Sequence, residues 1–128
     1  QIRLRIVMWN AKRDYAEENR FKHYAKKHPR EFAACFVNLN RALAMLNGGM
    51  TLDQLSSTRF FSSEGDGLFR IGQTGVPHAH ETRLYVYVIV ISSEMQIMTI
   101  GDKVTQQMDI NRCKATIKAM PKQEGETT

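Results

Sequence analysis

Apolar and polar residues alternate at the start of the chain and then change to a helical spacing. In residues 2–9 one side carries only apolar side chains, which is the period of a half-buried strand: Ile2, Leu4, Ile6 and Met8. We therefore predict a first strand over residues 2–9. A helix is expected to follow, capped by Asn10 or Asp14 and running to about Lys27, because either side chain can accept hydrogen bonds from the free amides of a first turn.

A longer apolar stripe comes after His28-Pro29, where the proline favours a new helix start. Its apolar residues recur at spacings of three and four: Phe32, Cys35, Phe36, Leu39, Leu43 and Leu46. Gly48-Gly49 is predicted to end this helix. The two helices should form an antiparallel hairpin lying on a sheet, with one further helical turn at residues 51–55.

Short apolar runs dominate the second half of the chain. Residues 62–67 indicate a loop, and residues 68–72 a short strand. Residues 82–91 are apolar on both faces, which is typical of a strand at the centre of a sheet. A tight connection leads into residues 95–100, so the last two strands are predicted to pair as an antiparallel hairpin. Residues 73–81 form a long connecting loop.

The chain is predicted to end with a helix capped by Asp109 and stopped by Pro121, with Ile110, Cys113, Ile117 and Met120 on one face. The fold class is α+β: an N-terminal strand, a helical hairpin, three antiparallel strands in one mostly antiparallel sheet and a short C-terminal helix. The helices should cover one sheet face and leave the other open. We expect one domain over residues 1–120 and a flexible tail at 121–128.

The composition indicates which kinds of partner and which cellular environment to expect. Lys and Arg total 18 against 13 Asp and Glu, a net charge of +5 that favours an anionic partner. Cys35 and Cys113 fall at apolar helix positions, which predicts buried free thiols. No run of His, Cys, Asp or Glu has ligand spacing, so we expect no metal or other cofactor. The opening segment is too short and too charged for a signal or membrane segment, which favours a cytoplasmic protein.

Two groups of cations are candidate sites. Arg70, Arg83 and Lys103 each lie at or near the end of a predicted strand, so a folded sheet could gather them around one phosphodiester. The first helix and its flanks are also basic, through Lys12, Arg13, Arg20, Lys22, Lys26 and Lys27. This second group either binds RNA phosphates with little sequence preference or forms a solvated helix face.

Three motifs in order resemble a known family. They read Phe69-Arg70-Ile71-Gly72, Arg83-Leu84-Tyr85 and Ile100-Gly101-Asp102-Lys103, and with the element order they resemble the RelE-type toxins, including HigB-like members, of bacterial type II toxin–antitoxin systems. The resemblance covers the second half of the domain at the level of motifs and the first half by element order. It implies a ribosome-dependent endoribonuclease that cleaves messenger RNA, inhibits translation without a metal and is neutralised by a cognate antitoxin.

The resemblance also implies roles. Arg70 matches the family's catalytic arginine, Lys103 its basic residue after the Ile-Gly pair, and Arg83 a residue often found at the start of the central strand. Clustered cations stabilise the phosphorane that forms when the RNA 2′-hydroxyl attacks its own phosphate. Asp102 stands where many members have His or Arg, and the tail supplies no Tyr or His, so the general acid and base are left open.

Three residues are candidates for that acid and base. His78 and His80 titrate near neutral pH but lie in a loop rich in Gly and Pro, where histidines are often merely exposed, and Tyr85 is the third. Two alternative functions also remain. One is a ParE-like toxin that poisons DNA gyrase, and the other is a non-catalytic module that binds RNA or protein with the same sheet.

Overall fold

The structure is a computed structural model that describes residues 8–121, and this part of the chain forms one five-stranded sheet with four α-helices. The strands are β1 (Asn10–Lys12), β2 (Phe61–Gly65), β3 (Leu68–Gly72), β4 (Thr82–Ile89) and β5 (Glu94–Asp102). The helices are α1 (Glu18–Lys27), α2 (Pro29–Asn47), α3 (Leu52–Leu55) and α4 (Gln106–Ala119), and a 3₁₀ turn spans Val90–Ser92. The predicted α+β class with a mostly antiparallel sheet is confirmed.

The strand order across the sheet is β1-β5-β4-β3-β2. Only β1 pairs in parallel, with β5, and the other neighbours are antiparallel. β4 therefore lies at the centre, as its two apolar faces predict. It ends at Ile89 rather than residue 91, because the chain turns into the 3₁₀ segment there.

Both faces of the sheet are covered. The main core lies between the sheet and the α1–α2 pair, and it includes Cys35, Leu39 and Ile71. A second cluster forms under α4 on the opposite face, where Ile110 and Cys113 pack on strand residues. The prediction of an open face is wrong, since the apolar side of α4 gains about 1.5–3 kcal/mol for each large side chain that it buries against the sheet.

Among the described residues the first strand is β1, which begins at Asn10, just past the predicted range of 2–9. Residues 2–7 lie outside the described part of the chain, and Met8 and Trp9 precede β1. The side chain of Asn47, at the end of α2, bonds the backbone of Trp9 twice: its Oδ1 accepts from the Trp9 N–H at 2.6 Å, and its Nδ2 donates to the Trp9 carbonyl at 3.3 Å. The backbone of Trp9 is therefore hydrogen-bonded to the end of α2, whereas the alternation of apolar residues predicts a strand there.

The cap predicted for α1 is also wrong. Asn10 belongs to β1, and Asp14 lies in a turn where its carboxylate accepts a hydrogen bond from Gln96 at 3.0 Å. The helix begins at Glu18, and the backbone N–H of Glu17 donates to the Met98 carbonyl of β5 at 2.9 Å. A contact with the sheet therefore takes the place of the predicted side-chain cap.

The predicted loop at residues 62–67 is mostly a strand. β2 pairs with β3 through a tight turn at Asp66-Gly67, where both residues have positive φ, 57° and 80°. Asp-Gly is a preferred pair for such a hairpin turn. The strand was missed because Ser and Glu dominate its sequence and only Phe61 of β2 is buried.

Several other predictions are confirmed. α2 runs from Pro29 to Asn47 with Gly48 as its C-cap, and α3 starts with a capping box between Thr51 and Gln54. Cys35 and Cys113 are buried and free, and burial raises the pKa of each thiol to about 12. Of the predicted tail, only Pro121 is described.

Candidate functional site

A polar pocket of about 180 Å³ lies at the end of the sheet where β3 finishes and β4 starts. Arg70 is paired with Tyr85 and Gly72 with Arg83 in the strand register, so the two arginines are diagonal neighbours on one sheet face. Arg59, just before β2, completes a group of three guanidinium groups. We call this site the arginine pocket, and it is lined by Arg59, Phe60, Ser62, Arg70, Gly72, Gln73, Glu81, Thr82 and Arg83.

Arg83 has an unsatisfied hydrogen-bonding group. Its side chain is only 12% exposed, and its Nη1 is buried with no hydrogen-bond partner among the described residues. Its Nη2 reaches the Glu81 carboxylate at 3.4 Å, but that carboxylate is largely exposed. Arg59 and Arg70 form no ion pair within residues 8–121. Three cations therefore face one carboxylate, which makes the pocket attractive to an anion.

Tyr85 lies on the same face as Arg70 and Arg83. Its side chain is fully buried, and its hydroxyl finds no hydrogen-bond partner in the described structure. Burial raises the pKa of this phenol well above its usual range. It therefore remains protonated at neutral pH but out of contact with solvent, which makes it a poor acid or base for a substrate in the pocket.

The structure brings together two of the three predicted catalytic cations. Arg70 and Arg83 share the arginine pocket, whereas Lys103 lies in the exposed turn after β5 and is not among the residues that line it. Arg59 was missed from the sequence. No motif surrounds it, and only the β2–β3 hairpin, also missed, places it beside Arg70.

His80 is held firmly at the same end of the sheet. Its backbone N–H donates to the buried Glu31 carboxylate at 2.8 Å, and its ring Nε2 lies 3.0 Å from Asp102. The ring stacks on His28 with centroids 4.1 Å apart. The bond from the His80 backbone lowers the pKa of Glu31. Burial opposes ionisation of Asp102, but hydrogen bonds from His80 and the Thr105 backbone outweigh it and lower its pKa.

The other loop histidine is not organised in this way. His78 is exposed, has a φ of 52° and does not line the arginine pocket. The sequence offered both histidines as acid or base candidates, and the structure gives only His80 a carboxylate partner. The residue that departs from the family pattern, Asp102, is that partner.

A second cavity of about 540 Å³ lies between α1 and the β5–α4 turn, on the opposite face of the sheet. We call it the α1 cleft, and it is lined by Arg20, His23, Tyr24, Lys26, Lys27, His28, Gly101, Asp102 and Thr105. The Tyr24 hydroxyl bonds the Thr82 hydroxyl at 2.7 Å. Because Thr82 also lines the arginine pocket, this hydrogen bond joins a residue of one cavity to a residue of the other.

The six cations predicted to bind RNA have different surroundings. Arg13 pairs with Glu18 at 2.8 Å and lies over the Phe21 ring, and Arg20 donates to a backbone carbonyl and pairs with buried Asp109. The charges of these two arginines are therefore already compensated within the protein. The other four are exposed and have no ion pair within the described part of the chain: Lys12, Lys22, Lys26 and Lys27.

Asp109 is not the helix cap that the sequence predicted. α4 begins after Thr105, and the Asp109 carboxylate is fully buried among Arg20 at 2.9 Å, Arg112 at 3.1 Å and the Thr105 hydroxyl at 2.7 Å. Beyond β1, the edge of β5 is thereby covered, since Arg20 also donates to the Ile100 carbonyl. A side chain at Gly101 would overlap this carboxylate.

Residues 8–121 contain no group of three or more His, Cys, Asp or Glu side chains placed to hold a metal ion. In the same residues, no helix is both long and apolar enough to cross a membrane. No family model matches the chain, and no curated protein matches it at a significant level.

Proposed function

We propose that this protein is a toxin endoribonuclease that cleaves messenger RNA on the ribosome. The observation that carries the proposal is the arginine pocket, where Arg70 and Arg83 share one face and a guanidinium nitrogen of Arg83 is buried without a partner. The lack of a partner for that nitrogen leaves the charge of Arg83 poorly compensated, and a bound phosphate would supply a further negative charge beside it. The resemblance of the three motifs to RelE-type toxins supplies the substrate class and a partner, a cognate antitoxin that neutralises the enzyme.

The chemistry that suits this pocket is attack of the RNA 2′-oxygen on the adjacent phosphorus. The phosphorane that forms carries additional negative charge, which fixed guanidinium groups stabilise more than they stabilise the ground state. Glu81 lines the pocket and can take the 2′-hydroxyl proton. When the bond from phosphorus to the 5′-oxygen breaks, that proton goes to the leaving oxygen. The products are a 2′,3′-cyclic phosphate and a 5′-hydroxyl.

The test is messenger cleavage in a translation extract. Arg70→Ala and Arg83→Met should each lower the cleavage rate by about 10²–10³-fold, the usual loss when a group that stabilises transition-state charge is removed. Arg30→Ala is the matched control, because Arg30 is exposed and lies outside both cavities. Cleavage by Arg70→Ala within threefold of the wild-type rate would rule out this site.

The same preparations separate the other functions. A wild-type protein that binds RNA in a salt-dependent way but cuts no strand would be a binding module. Inhibition of gyrase in a supercoiling assay, without RNA cleavage, would indicate a ParE-like toxin. Lys103→Ala, measured alone, shows whether the exposed turn after β5 reaches the substrate. A small acidic protein encoded beside this chain would be the first antitoxin to test, because its charge complements the cationic pocket.

A further inference from the structure

The α1 cleft is a second cationic cavity that the cleavage chemistry does not use. Its volume, about 540 Å³, lies in the range of small-ligand sites. Lys26 and Lys27, in the last turn of α1, both line it and have no ion pair within the described chain. The charge of Arg20 is compensated by Asp109, so the two lysines supply the free positive charge.

Among the described residues, one carboxylate lines the cleft, and it already has hydrogen-bond partners. Oδ2 of Asp102 lies 3.0 Å from the His80 ring, and Oδ1 accepts from the Thr105 backbone at 3.1 Å. Asp102 therefore acts within the protein and leaves the lysines available to a ligand. Tyr24 and His28, whose ring centroids lie 5.0 Å apart, give the cleft a wall of planar rings. Cations beside a planar wall suit a nucleotide, which combines a phosphate with a flat base.

Two other features of the surface adjoin the cleft. Past His23 and Lys26 the cleft continues into a depression of about 260 Å³ that Lys22 also lines. His80 contacts the cleft residues His28 and Asp102, while the next two residues, Glu81 and Thr82, line the arginine pocket. The lysines of α1 thus lie at one end of a row of contacting residues, and the other end of this row lines the arginine pocket. Cations at both ends of such a row suit a chain of phosphates better than a single small anion.

We propose that the α1 cleft binds ribonucleotide phosphates of the same RNA strand that is cut, next to the scissile position, with Lys26 and Lys27 as the phosphate-binding residues. The identity of the strand rests on the proposed function. The strand would cross the sheet end over Glu81 and Thr82 to enter the arginine pocket. A substrate too short to span both cavities would therefore lose the contacts to the cleft.

The experiment measures binding without cleavage. A fluorescent, fully 2′-O-methylated oligonucleotide cannot be cut by its own 2′-oxygen, so its affinity is independent of catalysis. Affinity is measured from about 50 to 200 mM salt, where each phosphate contact to a single strand contributes about 0.7 to the slope of log K against log salt. The variant K26A/K27A should lower the magnitude of that slope by about 1.4, and R30A/K118A is the control, because it loses the same charge at exposed cations outside both cavities.

The outcomes are distinct. A smaller slope for K26A/K27A, with no change for R30A/K118A, supports the cleft. An equal change in both variants, or in neither, overturns it. A nucleoside 5′-monophosphate is tested in parallel, and tight binding of that molecule dependent on the two lysines would assign the cleft to a free nucleotide rather than to RNA. If the oligonucleotide binds as expected but the wild type cuts no messenger, the proposed function fails while the cleft survives.

Discussion

The buried carboxylate of Asp109 offers the sharpest test of how the helices on the two faces of the sheet are joined. It joins α1 and α4, which lie on opposite faces of the sheet, through Arg20 and Arg112. Replacing Asp109 with Ala removes both ion pairs and the hydrogen bond from Thr105. We expect the variant to fold but to be clearly less stable.

The magnitude follows from the burial of the three groups. Removing one partner of a buried ion pair typically costs about 3–5 kcal/mol, because the other charge is left without compensation. Here the carboxylate is fully buried, but the side chains of Arg20 and Arg112 are 33% and 37% exposed, so water recovers part of the loss. We expect about 2–3 kcal/mol, or a fall in Tm of about 10 °C for a domain of this size.

Urea unfolding followed by far-UV circular dichroism measures this effect. Asp109→Asn keeps the shape and should fall between Ala and wild type, and Asp53→Ala, at an exposed position, should stay within about 0.5 kcal/mol of wild type. A second route to the same carboxylate is Gly101→Ala, whose new methyl group would displace it at a cost of about 1–3 kcal/mol. If Asp109→Ala unfolds within 0.5 kcal/mol of wild type, the carboxylate does not join the two layers.

Two further predictions concern a buried hydroxyl and a surface ion pair. Tyr85→Phe should raise the free energy of unfolding by about 1 kcal/mol, because it removes a buried hydroxyl without a partner. Messenger cleavage by this variant should persist. Loss of cleavage would instead make Tyr85 the general acid or base. The hydrogen bond from Arg112 lowers the pKa of Glu17 below its usual value near 4.5. The stability that this ion pair contributes is therefore complete above that pH and is lost as the pH falls through the folded-state pKa of Glu17. Glu17→Gln should make the free energy of unfolding depend less on pH in the acid range. An unchanged dependence would contradict the pairing.

The parts of the fold that the sequence predicted are those with a repeated apolar pattern. α2 carries a long stripe between a proline and a glycine pair, and β4 is apolar on both faces, so both were found with nearly correct ends. β2 was missed because it buries only Phe61 and its serines read as loop. The covering of the second sheet face by α4 was missed because an amphipathic helix does not show which surface it packs on.

The candidate site was predicted only in part, because only some of its residues lie on elements with a repeated apolar pattern. Arg70 and Arg83 lie on strands that the pattern located, and the register then placed them side by side. Arg59 depends on a hairpin turn, and the pairing of His80 with Asp102 depends on where a long loop returns to the sheet. Side chains brought together only by tertiary contacts of this kind leave no spacing in the sequence to detect.

The two buried thiols allow each layer of the molecule to be followed separately. Cys35 belongs to the core under α2, and Cys113 belongs to the cluster under α4. With a pKa raised to about 12, each is almost entirely unreactive toward an alkylating reagent while its layer stays closed. The rate at which each cysteine is labelled in the native protein therefore reports how often its own layer opens, and peptide mapping of the label would show whether α4 detaches before α2 does.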